Sequence, residues 1–289
     1  MLSLFSIEKK ILGLDITEEY IRYALVSRRG ENNKVLICGE EKIARVEPRN
    51  ALLSAIRNII RKTNCKNANV SFSSDFVRSE TISISSLIKK DIGKEIEFRL
   101  KEKTLFSYGE SILFYEKFES VNNKDFYNVF ISSSDNISFL KSVFVNSELS
   151  VKKFISHKDS LLSSCVKKGE IVNTMIVNAE QSLVDVAIFS PFNRFKGISS
   201  RVEREKIPGL IKETYQDFYN LSSDNIGYFF VSGSLSCDVS FINHLSKETR
   251  LPVQESDVFV NFKFKKGELP PVTKEESMLY AVALGVSIS

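Results

Sequence analysis

Two stretches of this chain lie over one another without a gap. ILGLDITEEYIRYALVS (11–27) and TMIVNAEQSLVDVAIFS (174–190) match at a constant offset of 163 residues (178 − 15). Leu12 falls on Met175, Leu14 on Val177 and Asp15 on Asn178. Beyond the turn, Ile21 falls on Val184, Tyr23 on Val186, Ala24 on Ala187 and Ser27 on Ser190. Each copy reads as an apolar strand, a short polar turn and a second strand. A hairpin repeated across so long an interval predicts two related lobes facing one another. It also has the outline of an anion site, because backbone N–H groups at a tight turn can approach a phosphate.

Both copies run on into α/β sequence. NALLSAIRNIIRK (50–62) has its apolar residues at 52, 53, 56, 59 and 60, a helical stripe. NANVSFSS (67–74) and RSETISIS (78–85) read as strands. SSLIKKDIGKEIEFRLKEK (85–103) spaces Ile88, Ile92, Ile96 and Leu100 by four, which predicts an amphipathic helix behind a serine cap. SILFYEKFES and FYNVFISSS read as strands, DNISFLKSVFVNSE and KDSLLSSCVKK as helices. After the second hairpin come a helix with Pro208 in its first turn, a buried strand ending at Gly233-Ser234, and the helix DVSFINHLSKETR. A short strand, LPVQES, follows, and a last apolar helix starts at Thr273.

The 289 residues suffice for two domains or one large one, and 43% hydrophobic with 26% charged residues is the balance of a chain with a core. A net charge of +4, with no basic run interleaved with aromatics, does not point to nucleic acid. Cys38, Cys65, Cys165 and Cys237 have no metal-ligand spacing and read as buried reduced thiols of a cytoplasmic protein. The opening MLSLFSIEKK has too short an apolar run for a signal sequence, and Leu2, Leu4, Phe5 and Ile7 read as a floppy arm or an edge packed on the core, contact with a membrane surface being the alternative. His157 and His244 lack catalytic spacing and read as surface residues.

With these segments in order, the chain resembles the actin-like superfamily, and within it the PilM family of type IV pilus assembly proteins, relatives of FtsA. ILGLDIT resembles the first phosphate motif and MIVNAEQSLVDVAIF the second. YFFVSGSLSCDVSFINHLSKETRLPV is similar to the segment that meets the adenosine, and YAVALGVSI to the final helix. Residues 70–150 look like the inserted subdomain 1C. The resemblance implies an α/β, two-lobe fold: residues 1–69 with 151–172 as the first lobe, 70–150 as the insert, and 173–289 as the second lobe. Subdomain 2B is reduced or missing, because the sequence from 192 to 233 leaves it no room.

The same resemblance implies an ATP site at Asp15, Thr17, Asn178, Ala179, Gly233 and Ser234, with Asp15 holding magnesium through water. Several positions depart from that pattern. Thr17 replaces a glycine, and Glu18 and Glu19 follow it. A carboxylate about 4 Å from a phosphate oxygen costs about 4 kcal/mol at an effective dielectric near 20. Asn178-Ala179-Glu180 replaces Asp-Ile-Gly, and Gly233-Ser234 keeps half of a glycine pair. The expectation is therefore a vestigial nucleotide site with no cofactor, ATP with magnesium being the alternative. The favoured function is a cytoplasmic scaffold, at the inner face of the inner membrane, in a type IV pilus or related secretion machine. Its partners are the cytoplasmic tail of a PilN-like bitopic membrane protein and other assembly components. The tail is expected in the seam between insert and first lobe, near the 50–62 helix. The rival is an active actin-like protein that cycles or polymerises with ATP.

Overall fold

Both copies of the repeat fold as central hairpins, for the reason their composition gives: strands apolar on both phases must be covered on both faces. The computed structural model describes residues 8–30, 32–44, 48–74, 76–88, 90–102, 109–121, 123–190, 198–222, 225–254, 257–265 and 267–289. The first hairpin is β1 (Lys9–Ile16) and β2 (Tyr20–Arg29), extended by β3 (Asn32–Lys42), α1 (Pro48–Thr63) and β4 (Asn67–Phe72). Next come β5 (Arg78–Ser85), α2 (Ile92–Glu102), β6 (Glu110–Val121) and β7 (Lys124–Ser133), then α3 (Ser134–Ser147), β8 (Ser150–Phe154) and α4 (His157–Cys165). The second hairpin is β9 (Thr174–Ala179) and β10 (Leu183–Phe189), extended by β11 (Ile198–Arg201), α5 (Ile207–Ser222), β12 (Tyr228–Ser232) and α6 (Val239–Thr249). Two short helices close the chain, α7 (Lys274–Ser277) and α8 (Ala281–Ile288).

The strands form three sheets, ordered β3-β2-β1-β4-β8, β11-β10-β9-β12 and β5-β7-β6. In the first, β1 is antiparallel to β2 and parallel to β4. In the second, β9 is antiparallel to β10 and parallel to β12. The repeat is thus one of topology as well as sequence.

Two helices lie between these sheets. α8 packs on β1, β2 and β4, and α4 on β9 and β10, with the helices in contact. They cross so closely at Gly285 that a Cβ there would sit 1.8 Å from the Ser160 carbonyl oxygen. The resulting core joins Ala24 and Val26 of the first sheet to Ile176 and Ala187 of the second through Leu161, Val282 and Leu284. α1 and α3 cover the outer face of the first sheet, with Leu52, Ile56, Leu140 and Phe144 inside. α5 and α6 supply Ile211, Phe218, Phe241 and Leu245 to the second sheet's outer core. α2 covers the three-stranded sheet with Ile96 and Leu100.

Several expectations are corrected. β5 runs through Ser85, so α2 begins at Ile92 rather than at the serine; Ile88 still packs, partly buried, on the same cluster. LPVQES makes one bridge, Gln254 to Phe230, and its last two residues lie outside the described set. The last helix is broken by a 3-10 turn at Met278–Tyr280, while Thr273 caps α7 in a capping box with Glu276. Cys237 is exposed and Cys38 half-buried. Leu2, Leu4, Phe5 and Ile7 lie outside the described residues. Among the described residues no strand lies between β11 and β12, where subdomain 2B is reduced, and no helix is long and apolar enough to cross a membrane.

Candidate functional site

The pairing registers set two rows of polar side chains across the two sheets. On the first sheet Glu40 pairs with Arg22, Arg22 with Asp15, and Asp15 with Ser71. On the second, Ser199 pairs with Asp185, Asp185 with Asn178, and Asn178 with Ser232. Strand partners place their side chains on the same face of a sheet. The repeat relates the rows: Asp15 corresponds to Asn178, and Arg22 to Asp185.

His157, the first residue of α4, joins the two rows. Its Nδ1 lies 2.8 Å from Asp185 Oδ2, and its Nε2 lies 3.0 Å from Asp15 Oδ1. The second contact is an ion pair poorly aligned for a hydrogen bond. All three side chains are at most 7% exposed. Burial alone would drive the imidazole toward neutrality. Asp185 and Asp15 outweigh it and hold the His157 pKa well above the usual histidine range. Burial likewise pushes Asp185 up, but His157, with hydrogen bonds from Ser199 and Asn178, brings it below the usual carboxylate range. The expectation of a surface histidine is overturned for His157, whereas His244 is exposed as expected. The serine before it explains the placement: Ser156 caps α4, accepting from the Asp159 N–H, and so fixes the helix start.

A second tie runs beside the first. Arg22 Nη1 reaches Glu180 Oε1 at 2.5 Å across the sheets, and Arg22 Nε reaches Glu40 Oε2 at 3.0 Å within its own. The guanidinium stacks 4.0 Å over the Tyr20 ring. Glu180 also accepts from the Ser234 backbone N–H at 3.2 Å. A carboxylate of the chain itself thus holds a turn donor that an anion would otherwise use.

Other turn groups are also engaged by the chain, although the buried Ser234 hydroxyl has no partner among the described residues. The Thr17 hydroxyl accepts from the N–H groups of Glu19 (3.2 Å) and Tyr20 (3.0 Å), closing the first turn on itself. In the second turn the Glu180 N–H donates to the Leu183 carbonyl. The Gly233 N–H donates to the Met278 carbonyl. Gly233 has φ +84°, and a Cβ there would lie 2.5 Å from the Ala179 carbonyl oxygen, so conformation and space both require glycine. Asn178 donates to Asp185 at 3.4 Å and accepts from Ser232 at 3.3 Å. Asn178, Ala179, Gly233 and Ser234 are therefore gathered together, Asp15 meets their row through His157, and Thr17 stays within its own turn. Beside His157 the space left is about 10 Å³, bounded by Phe72, Val77, Phe130, Ser156 and Ser199, room for a single water at most.

Larger cavities flank the insert. One of about 640 Å³ opens between the two hairpin turns, at Glu18, Glu19, Ser182 and Arg201, and runs beside α1 and α3 to Phe76 and Phe139. Another of about 610 Å³ lies where the β6–β7 sheet, β8, α4 and the end of β10 meet, with Phe130, Phe154, Leu162 and Ile188 on its walls. Phe130, Phe114, Phe154 and Phe72 form a continuous ring cluster there, with centroids 5.9–6.2 Å apart.

No protein-family model and no curated protein matches this sequence. Among solved structures, the chain is similar to a PilM–PilN type IV pilus biogenesis complex (TM-score 0.77, 9% identity, 96% of this chain and 97% of that one). It is similar to a Bacteroides thetaiotaomicron protein with an actin-like ATPase fold (0.55, 12%, 88% and 93%). It is also similar to the cytoplasmic domain of EpsL, an inner membrane component of the Vibrio cholerae type II secretion system (0.53, 9%, 77% and 82%). At such identities the likeness is one of architecture, and the chain has the actin-like fold.

Proposed function

We propose that this protein is a PilM-like scaffold of a type IV pilus or related secretion machine, working without nucleotide. In this reading it lies at the cytoplasmic face of the inner membrane and binds the cytoplasmic tail of a PilN-like bitopic membrane protein. It reaches the membrane through that partner, and it does not bind nucleic acid. Residues 1–69 with 151–172 form the first lobe, 70–150 the insert and 173–289 the second lobe, whose α8 returns to the first sheet.

One observation carries the reading: the inner cleft, between the strands behind the two hairpin turns, is closed by buried charge pairs of the chain itself, and the open space at its mouth is edged by Glu18 and Glu19. Magnesium and ATP do not fit the donors there. Asp15, which would hold the ion through water, faces a cationic imidazole at 3.0 Å. Glu180 occupies the Ser234 N–H and brings a fixed negative charge to where phosphates would lie. Among the described residues no group of three or more His, Cys, Asp and Glu side chains is placed to hold a metal. The groove at β8 and α4, by contrast, is open and floored with aromatics. It has the size of a ligand pocket and sits where packed units meet, the habitual place for one. Its three rings, Phe130, Phe154 and Phe189, against Phe76 and Phe139 on the α1 side of the seam, favour it as the seat of the tail.

The test is a pair of titrations on the full chain. Millimolar Mg-ATP is expected to leave the melting temperature where an equal ionic strength of salt leaves it, because a ligand far above its Kd would add a few kcal/mol. A peptide copying the cytoplasmic tail of a PilN-like bitopic membrane protein from the same genome is expected to bind, and Phe154→Ala to weaken it. A shift of several degrees with Mg-ATP, or no binding by the peptide, overturns the corresponding half of the proposal.

A further inference from the structure

α4 takes part in two sites at once. On one side of its first turn His157 enters the cleft and meets Asp15 and Asp185. On the other, Ser156 and Asp159 stand in the wall of the groove, where Asp159 accepts from Asn128 of β7 at 2.9 Å and from Ser156 at 2.7 Å. The groove's far wall, Ile188 and Phe189, is the end of β10, the strand that carries Asp185. The two sites therefore share two elements, α4 and β10. Any change of distance between β1 and β10 must move α4, and with it the groove.

We infer that the Asp15–His157–Asp185 clamp sets the groove: His157 is a positioning residue for the bound tail, doing with protein side chains what a nucleotide between two lobes does by bridging them. The inference rests on the scaffold reading proposed above. Its physical basis is that a buried cation between two buried carboxylates has no aqueous alternative, so the sheets close around it or the pairs break at high cost. Two sites coupled through one rigid element influence one another reciprocally. Tail binding then tightens the clamp, and loss of the clamp weakens the tail. The Arg22–Glu180 tie supports the same closure from the neighbouring strand, but it does not touch the groove.

The experiment uses the full chain, the tail peptide as probe, and backbone hydrogen exchange alongside the titration. In the wild type, peptide is expected to slow exchange along β8, α4 and the end of β10, which line the groove, and also along β1, which does not. His157→Gln is expected to weaken the peptide about tenfold, a mid-range coupling, and to raise exchange in β10 and α4 together. Asp185→Asn keeps the shape while removing one charge, and is expected to fall between the two. Phe154→Ala, in the groove but outside the clamp, is expected to weaken the peptide without changing exchange at β1 and β10. If His157→Gln and Asp185→Asn raise cleft exchange yet bind the peptide like the wild type, the clamp does not position the groove and the inference is overturned. The same follows if peptide protects only the groove. Should His157→Gln fail to fold, Asp185→Asn and the wild-type exchange pattern decide the matter. If the wild type does not bind the peptide at all, the scaffold reading fails first, and its Mg-ATP arm is unaffected.

Discussion

His157 puts a charged group into the buried space between the two sheets, and its protonation bears on stability in a defined direction. Its pKa in the fold is raised above the ordinary value of about 6.5. A raised pKa means the folded state holds the proton more tightly, so the contribution is complete below about pH 6.5 and is lost as pH climbs through the folded pKa. Asp185 has a lowered pKa, so its contribution is present above about pH 4 and is lost as pH falls through the folded value. Urea denaturation across pH is expected to show wild-type stability falling on the alkaline side relative to His157→Gln. Near pH 6 the variant is expected to be less stable by about 3–5 kcal/mol, the usual cost of stripping one partner from a buried ion group. Parallel pH profiles for the two proteins would show that the imidazole is not charged in the fold. The sequence held a signal for this site that spacing rules overlooked. Arg22 and Asp185 are opposite charges inside otherwise apolar strands and fall on one another in the repeat. A charge buried in a central strand demands a partner, and the repeat places each partner in the facing lobe. Only His157 had no local signal, because its role depends on α4 lying between two sheets.

Among elements, the strongly patterned ones were legible and the half-exposed ones were not. β1, β2, β9 and β10 follow from their apolar phases and polar turns. β3 was missed because its burial is mixed along NNKVLICGEEK, which a chain at a sheet edge tolerates. β8 and β11 were missed for their length, five and four residues, too short for any period to show. The crossing of α4 and α8 was not legible at all, although it decides how close the lobes come. It rests on Gly285, against the Ser160 backbone. Gly285→Ala is expected to lower stability by about 1–3 kcal/mol, the range for an overpacked core, because backbone rather than a flexible side chain must move. Gly209 offers the matching control. It lies exposed in α5 with nothing within 4 Å of its added Cβ. Gly209→Ala is expected to stabilise by about 0.5–1 kcal/mol through helix preference. Thermal melts of the two variants should shift in opposite directions. A neutral Gly285→Ala would show that the helices can separate without cost.

Over the whole molecule, what separates this chain from a nucleotide-binding relative is not any one turn. The turn substitution at Thr17, legible in the sequence, suggests a local repair: Thr17→Gly with Glu18→Ser removes a side chain from the first turn and one negative charge from its tip. The fold argues that the repair fails. Thr17 occupies the Glu19 and Tyr20 N–H groups, and freeing them leaves every other obstacle in place. Glu180 remains on the Ser234 N–H and is held there by Arg22 from the opposite sheet. Asp15 remains tied to His157, and the apolar core shared by both sheets keeps the cleft from widening to admit a ligand. Admitting phosphates to the inner cleft, where Ser234 and Asp15 lie, would require breaking two buried charge clusters, each worth several kcal/mol once stripped of partners. Micromolar affinity requires about 8 kcal/mol of net binding, which a few freed amide groups cannot supply on top of that cost. The double variant is therefore expected to show the same melting temperature with and without millimolar Mg-ATP. A shift of several degrees in that variant, with none in the wild type, would mean that turn chemistry alone had silenced the site and that the clamp yields readily.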